Sequence, residues 1–189
     1  MDSAVEPRKK FTTDDVLRMV RAGILDEDDR LELIEGELLV VSPQDPIHAS
    51  AVQRLTRKLV RAYGDAFQVR VQLPIRASAV SLPEPDLAVV RGGERSFDRQ
   101  HPEGSDAVLL VEVTWSTAQR DRRKVEIYAR AGVPVYWRLD LEHGRLEVYE
   151  NPAPDAGVYT RVLLLADVDE VGVPETEERW RVADLLPSA

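Results

Sequence analysis

The chain has 189 residues, 43% of them hydrophobic, with 34 acidic and 25 basic side chains and a net charge of −9. That length suits one domain with short extensions, and that charge excludes strong global attraction to nucleic acid, so any phosphate contact must rest on local basic patches or bound metal. The absence of cysteine removes disulfides, thiolate nucleophiles and cysteine-type zinc sites, while the lack of a ~20-residue apolar run or an apolar leader predicts a cytoplasmic protein with no membrane partner.

Phe11 precedes Thr12-Thr13-Asp14-Asp15, which reads as a helix start with oxygens for the free N–H groups. That helix should end near Gly23. Leu31, Leu33, Leu39 and Val41 flank Glu35-Gly36-Glu37, the pattern of two short strands around a turn. Pro46 opens a second helix that stops at Gly64. Its apolar stripe is Ile47, Ala51, Leu55, Leu59 and Ala62; a basic stripe of Arg54, Arg57, Lys58 and Arg61 adjoins it. Strands are expected at Phe67–Ile75 and Asp86–Val90. The apolar run Ala107–Val113, broken only by Glu112, reads as a central strand covered on both faces. A third helix spans about Thr117–Ala131. Strands follow at Val133–Leu139, Leu146–Tyr149 and Val162–Leu165, with a turn at Asn151–Gly157; the acidic C-terminal segment has no clear pattern. The pattern is an α/β fold, a mixed sheet flanked by a few helices.

Two residues interrupt patterns that should bury them, and a third stands at the head of an apolar strand. Glu112 shares a strand face with Val108 and Leu110. A carboxylate there is costly unless it is paired, bound to metal, or able to reach water or an arginine. Lys124 lies on the inward stripe of the third helix with Arg120, Asp121, Ile127 and Tyr128. It needs an anion: either Asp121 at i, i−3 or Glu112 from the preceding strand. Asp86 follows Glu84-Pro85 and opens an apolar strand, so it is either a turn residue or a second carboxylate at a strand end. Two such carboxylates offer hard oxygens to Mg²⁺ or Mn²⁺.

Pro85-Asp86, Val111-Glu112-Val113, Ser116-Thr117, Asp121, Lys124, Tyr128, Gly132-Val133, Tyr136-Trp137 and Asp140 follow in an order and spacing that resembles the Uma-type endonucleases of the PD-(D/E)xK superfamily. Leu33-Ile34-Glu35-Gly36-Glu37, Ser42-Pro43 and His48 match the N-terminal pattern of that family. The resemblance spans roughly residues 31 to 150. It implies a restriction-endonuclease-like mixed sheet and metal-dependent hydrolysis of nucleic acid, DNA first among substrates. Asp86 and Glu112 would be metal ligands and Lys124 the catalytic lysine. Thr114 stands where the superfamily usually places that lysine.

Other positions admit two readings. Glu35 is either a further acidic catalytic group or a turn residue before Gly36. His48 is either a phosphate or site contact or a satisfied, partly buried histidine. Asp121 would orient Lys124. Arg120, Arg122 and Arg123 are the better nucleic-acid contacts; for Arg54 and Lys58 a solvated helix face is the more common explanation. The expected organisation is an N-terminal extension over residues 1–30, its helix packed on the core, and a nuclease-like domain over 31–189. Two-fold cutting would use a homodimer. The alternative from another class is a non-catalytic interaction module on the same fold.

Overall fold

A computed structural model describes residues 8–26, 29–41, 43–115 and 118–187, with the side chains of 118–122 outside the description. Helix α1 (Thr13–Arg21) begins at Thr12, whose hydroxyl accepts from Asp15 N while the Asp15 carboxylate accepts from Thr12 N, a reciprocal cap. The hairpin β1 (Leu31–Ile34) and β2 (Glu37–Val40) turns at Glu35-Gly36, with φ of 50° and 85°. Two left-handed residues in a row make the tight turn that matches strand twist. Helix α2 (Pro46–Tyr63) is capped by Asp45, which accepts from Ile47 N and His48 N.

The main sheet has six strands in the order β3-β4-β5-β6-β7-β8. They are β3 (Phe67–Val71), β4 (Leu87–Arg91), β5 (Ala107–Thr114), β6 (Val135–Asp140), β7 (Arg145–Ala153) and β8 (Val158–Ala166). Only β5 and β6 run parallel, joined across α3 (Ala118–Arg130); the other neighbours are antiparallel. All eight residues of β5 are buried, as expected for a central strand with cover on both sides.

Alternation sorts the strand residues into two cores. On one face Val89, Leu109, Val111 and Trp137 pack under Ala51, Leu55 and Leu59 of α2. The C-terminal hairpin β9 (Glu170–Gly172) and β10 (Arg179–Arg181) joins them, with Trp180 edge-on to Trp137. On the other face Ala88, Leu110 and Tyr136 pack against Ile127 and Tyr128 of α3 and Ile34 of the hairpin. Helix α1 contributes Val16 to a third cluster with Leu33 and Leu82.

Several bounds differ from the sequence reading. The strand expected over Phe67–Ile75 ends at Val71, because Gln72 takes φ 51°. The expected turn at Asn151–Gly157 begins later: β7 continues through Pro152 and Ala153, paired with Tyr159 and Val158. Asn151 adopts φ 57° and its carbonyl accepts from the Thr160 hydroxyl, a conformation asparagine tolerates. The strand expected at Val162–Leu165 extends over the whole of β8.

Gly104 sets the approach of α3 to the start of β5. A Cβ there would lie 2.6 Å from Ala131 Cβ and closer still to the Ala131 carbonyl oxygen. Gly104→Ala is therefore expected to destabilise the protein by about 1–3 kcal/mol, read as a lower urea midpoint with unchanged slope; an unchanged midpoint would show that the contact yields freely.

Candidate active site

The register of β4 on β5 pairs Leu87 with Val111. One step further out, Asp86 stands opposite Glu112. Asp86, just before β4, is held from three sides. Its Oδ2 accepts from Val113 N at 2.8 Å and lies 3.0 Å from His48 Nε2; its Oδ1 accepts from Gln72 Nε2 at 3.3 Å. His48 comes from the capped first turn of α2, so the helix start aims its ring at the end of the sheet.

Glu112 lies on the α3 face of β5. Its Oε1 accepts from Lys124 Nζ and from the Tyr128 hydroxyl, both at 2.8 Å. Lys124 and Tyr128 are one helical turn apart on α3, which is why both reach one carboxylate. Lys124 Nζ also donates to Glu32 Oε1 at 2.9 Å, and Glu84 N donates to that same oxygen at 2.9 Å. Glu32, Asp86, Glu112 and Lys124 are all buried. They line one wall of a cleft of about 1120 Å³, together with His48, Gln72, Glu84, His101 and Thr114.

Burial dominates the electrostatics. Desolvation pushes the Glu112 carboxyl from its ordinary 4.5 up to about 7, and Asp86 and Glu32 push the same way against the pull of Lys124. For Lys124 burial works against the cation, but Glu112 and Glu32 outweigh it and hold the ammonium above its usual range. Burial and Glu112 raise Tyr128, so it stays a donor. Burial opposes protonation of His48, and the bond and charge of Asp86 raise it nonetheless.

The structure brings Asp86, Glu112, Lys124 and His48 together. It does not bring Glu35 to them. That side chain is exposed in the hairpin turn and accepts from Arg123 Nε and Nη2 at 3.0 and 2.7 Å. The acidic residue of the hairpin that reaches Lys124 is Glu32. Its signal in the sequence is the one that marks Glu112: an acidic residue inside an apolar strand, Leu31-Glu32-Leu33-Ile34. Gln72 and Glu84 carry no comparable signal, since each sits in an irregular segment. Arg123 is engaged by Glu35 and lies 3.9 Å from Glu37.

Arg54 and Lys58 face the C-terminal segment. Arg54 Nη1 donates to the carbonyls of Leu185 and Leu186, and Lys58 sits 5.2 Å from the Trp180 ring centre. These two half-buried cations thus contact the C-terminal segment. The expected roles of Arg120, Asp121 and Arg122 lie outside the described residues, since their side chains are not described. Of the two partners open to Lys124 in the sequence, Glu112 is in place, and Glu32 joins it. Among the described residues, no group of three or more His, Asp or Glu side chains is arranged to hold a metal ion, and no helix is long and apolar enough to cross a membrane.

A family model, "Uma2: Putative restriction endonuclease", matches residues 14–185. No curated protein matches the chain. Among solved structures the fold is similar to that of a protein of Anabaena variabilis described as "a putative nuclease belonging to DUF820". The TM-score is 0.73 at 14% identity, over 93% of this chain and 97% of that one. At that identity the likeness speaks to the fold: a restriction-endonuclease-like mixed sheet flanked by helices.

A carboxyl whose affinity for protons is raised by folding takes up a proton as the chain folds. For Glu112 this holds between its ordinary 4.5 and about 7. The native state then binds more protons than the unfolded one, so the stability of metal-free protein falls as pH rises through that window. Denaturation midpoints measured from pH 4.5 to 8 in chelator should show this slope, and Glu112→Gln should flatten it. An equal slope in the variant would remove Glu112 as its source.

Proposed function

The chain belongs to the Uma2 family, and on that premise we propose that it is a Mg²⁺- or Mn²⁺-dependent endonuclease that hydrolyses phosphodiester bonds of DNA. The observation that carries this reading is the juxtaposition of Asp86 and Glu112 on neighbouring strands, with the Lys124 ammonium 2.8 Å from Glu112.

The residues fit such a cation. Carboxylate oxygens are the donors that Mg²⁺ and Mn²⁺ prefer, and these ions are commonly held by one or two carboxylates with water and substrate oxygens completing the shell. A closed cage of three side chains is not required. Burial raises the Glu112 carboxyl to about 7, with Asp86 and Glu32 adding to it against Lys124, and a cation bound beside it would offset that cost. When bound, the metal would lower the pKa of a water and stabilise charge on the phosphate.

The other roles belong to the chain. Lys124 places a fixed positive charge beside the reacting phosphate, where it offsets charge that develops in the transition state. Glu32 anchors that lysine from the hairpin. Tyr128 and the Val113 amide fix the orientation of Glu112 and Asp86. His48 and Gln72 hold Asp86 from the cleft side, as supporting groups do around metal ligands.

Purified protein is to be incubated with supercoiled plasmid, linear duplex, single-stranded DNA and RNA, with Mg²⁺ and with Mn²⁺. Wild type is expected to cut DNA. Glu112→Gln, Asp86→Asn and Lys124→Met should each lose about a hundredfold or more, and His48→Ala about 10–100-fold. Cutting that survives both Glu112→Gln and Lys124→Met overturns this assignment. Mn²⁺ affinity should also rise with pH up to about 7, because the ion displaces the Glu112 proton.

A second reading, a non-catalytic interaction module, is favoured by the pairing of Lys124 with two glutamates. Calorimetry with Mn²⁺ separates the two: a module gives no heat that depends on Asp86 or Glu112.

A further inference from the structure

We propose that Arg70 and His101 form a second anion site at the rim of the cleft, which holds a backbone phosphate of the nucleic acid beside the one that is cut. The proposal rests on the nuclease reading above. Arg70 lies on edge strand β3 opposite Ala88, which in turn faces Leu110 of β5. It therefore projects on the same sheet face as Glu112, two residues before Gln72. Gln72 and His101 both line the cleft. The segment that carries His101 is tied to the strap after β3, where Arg76 N donates to Pro102 O at 2.8 Å.

Several arginines of this acidic chain are held by a carboxylate. Arg76 pairs with Asp14, Arg91 with Glu175, Arg123 with Glu35, Arg130 with Glu126 and Arg138 with Glu147. Among the described residues, Arg70 pairs with no carboxylate. Its Nε is buried with no hydrogen-bond partner, and its guanidinium lies 5.8 Å from the Phe97 ring centre. A half-buried guanidinium with an unmet donor is costly alone and is satisfied by an anion. Its planar fork suits phosphate oxygens, and the aromatic contact holds the plane in place. The field at His101 is positive as well: burial, Arg70 and Arg76 all disfavour its protonation. A neutral imidazole there still donates one N–H to a phosphate. Phosphate contacts of this kind fix the register of a duplex against the metal site and are indifferent to sequence.

The test is binding of a fluorescein-labelled 20-base-pair duplex, followed by anisotropy from 50 to 300 mM salt with Ca²⁺ in place of Mg²⁺. Arg70→Gln is expected to weaken binding about tenfold and to flatten the slope of log K against log salt by about 1. Arg70→Lys should restore most of the slope, which a merely structural role would not do. His101→Ala should weaken binding with little change in slope. Arg57→Ala, on the exposed face of α2, removes the same charge elsewhere and should match wild type. If wild type binds and Arg70→Gln behaves as Arg57→Ala does, this site is overturned and the nuclease reading stands. If wild type binds no nucleic acid and cuts none, both fall. Thermal melting of each variant identifies loss of fold, and His101→Ala then decides the matter, since its ring is not part of the Arg70–Phe97 stack.

Discussion

One buried ammonium organises this molecule. Lys124 stands between Glu32 and Glu112, with Tyr128 on the same glutamate oxygen. Taking three charged groups out of water costs several kcal/mol each, and only close pairing offsets that cost. The partners come from β1, β5 and α3. The cluster is therefore satisfied only when hairpin, sheet and helix are assembled together, and removing Lys124 leaves two buried carboxylates without their counterion. A group of this kind ties the geometry of a site to the integrity of the fold.

The sheet supplies the rest of the arrangement. The β4–β5 register sets two carboxylates opposite each other at the strand ends. The parallel β5–β6 pair requires a crossover, and α3 is that crossover. Lys124 thus arrives from a helix, while Thr114 occupies the strand position two residues after Glu112. Both faces of the sheet contribute at this end: α3 and the hairpin from one side, His48 at the start of α2 from the other. Further along α2, Arg54 and Lys58 contact the C-terminal segment, while Arg57 and Arg61 are exposed.

Charge is distributed to match. The chain is acidic overall, and the cleft concentrates Glu32, Glu84, Asp86 and Glu112 in one wall. Such a wall repels a polyanion unless cations intervene. On the proposed reading the metal and Lys124 do so at the reacting phosphate, and Arg70 with His101 do so beside it.

Sequence alone determined the helices, most strands of the main sheet and the two residues that break their patterns, but not the C-terminal hairpin β9–β10. Periodicity located all three helices and the central strand, and it exposed Glu112 and Lys124 because each sits where apolar neighbours demand burial. Local chemistry also marked the cap at Thr12 and the turn at Glu35-Gly36. Tertiary structure decided which faces are covered, and with that the partners. Glu32 breaks the apolar segment Leu31-Glu32-Leu33-Ile34, but its partner comes only from the packing of the hairpin on α3, a contact 92 positions apart in the chain. Glu35 lies three residues later and stays in water with Arg123. Gln72, Glu84 and Arg70 gain their meaning from strand pairing and from a segment that returns over the sheet edge. A side-chain period reports which residues share a face. It carries no information about what that face will meet, and that choice belongs to the packing of the whole chain.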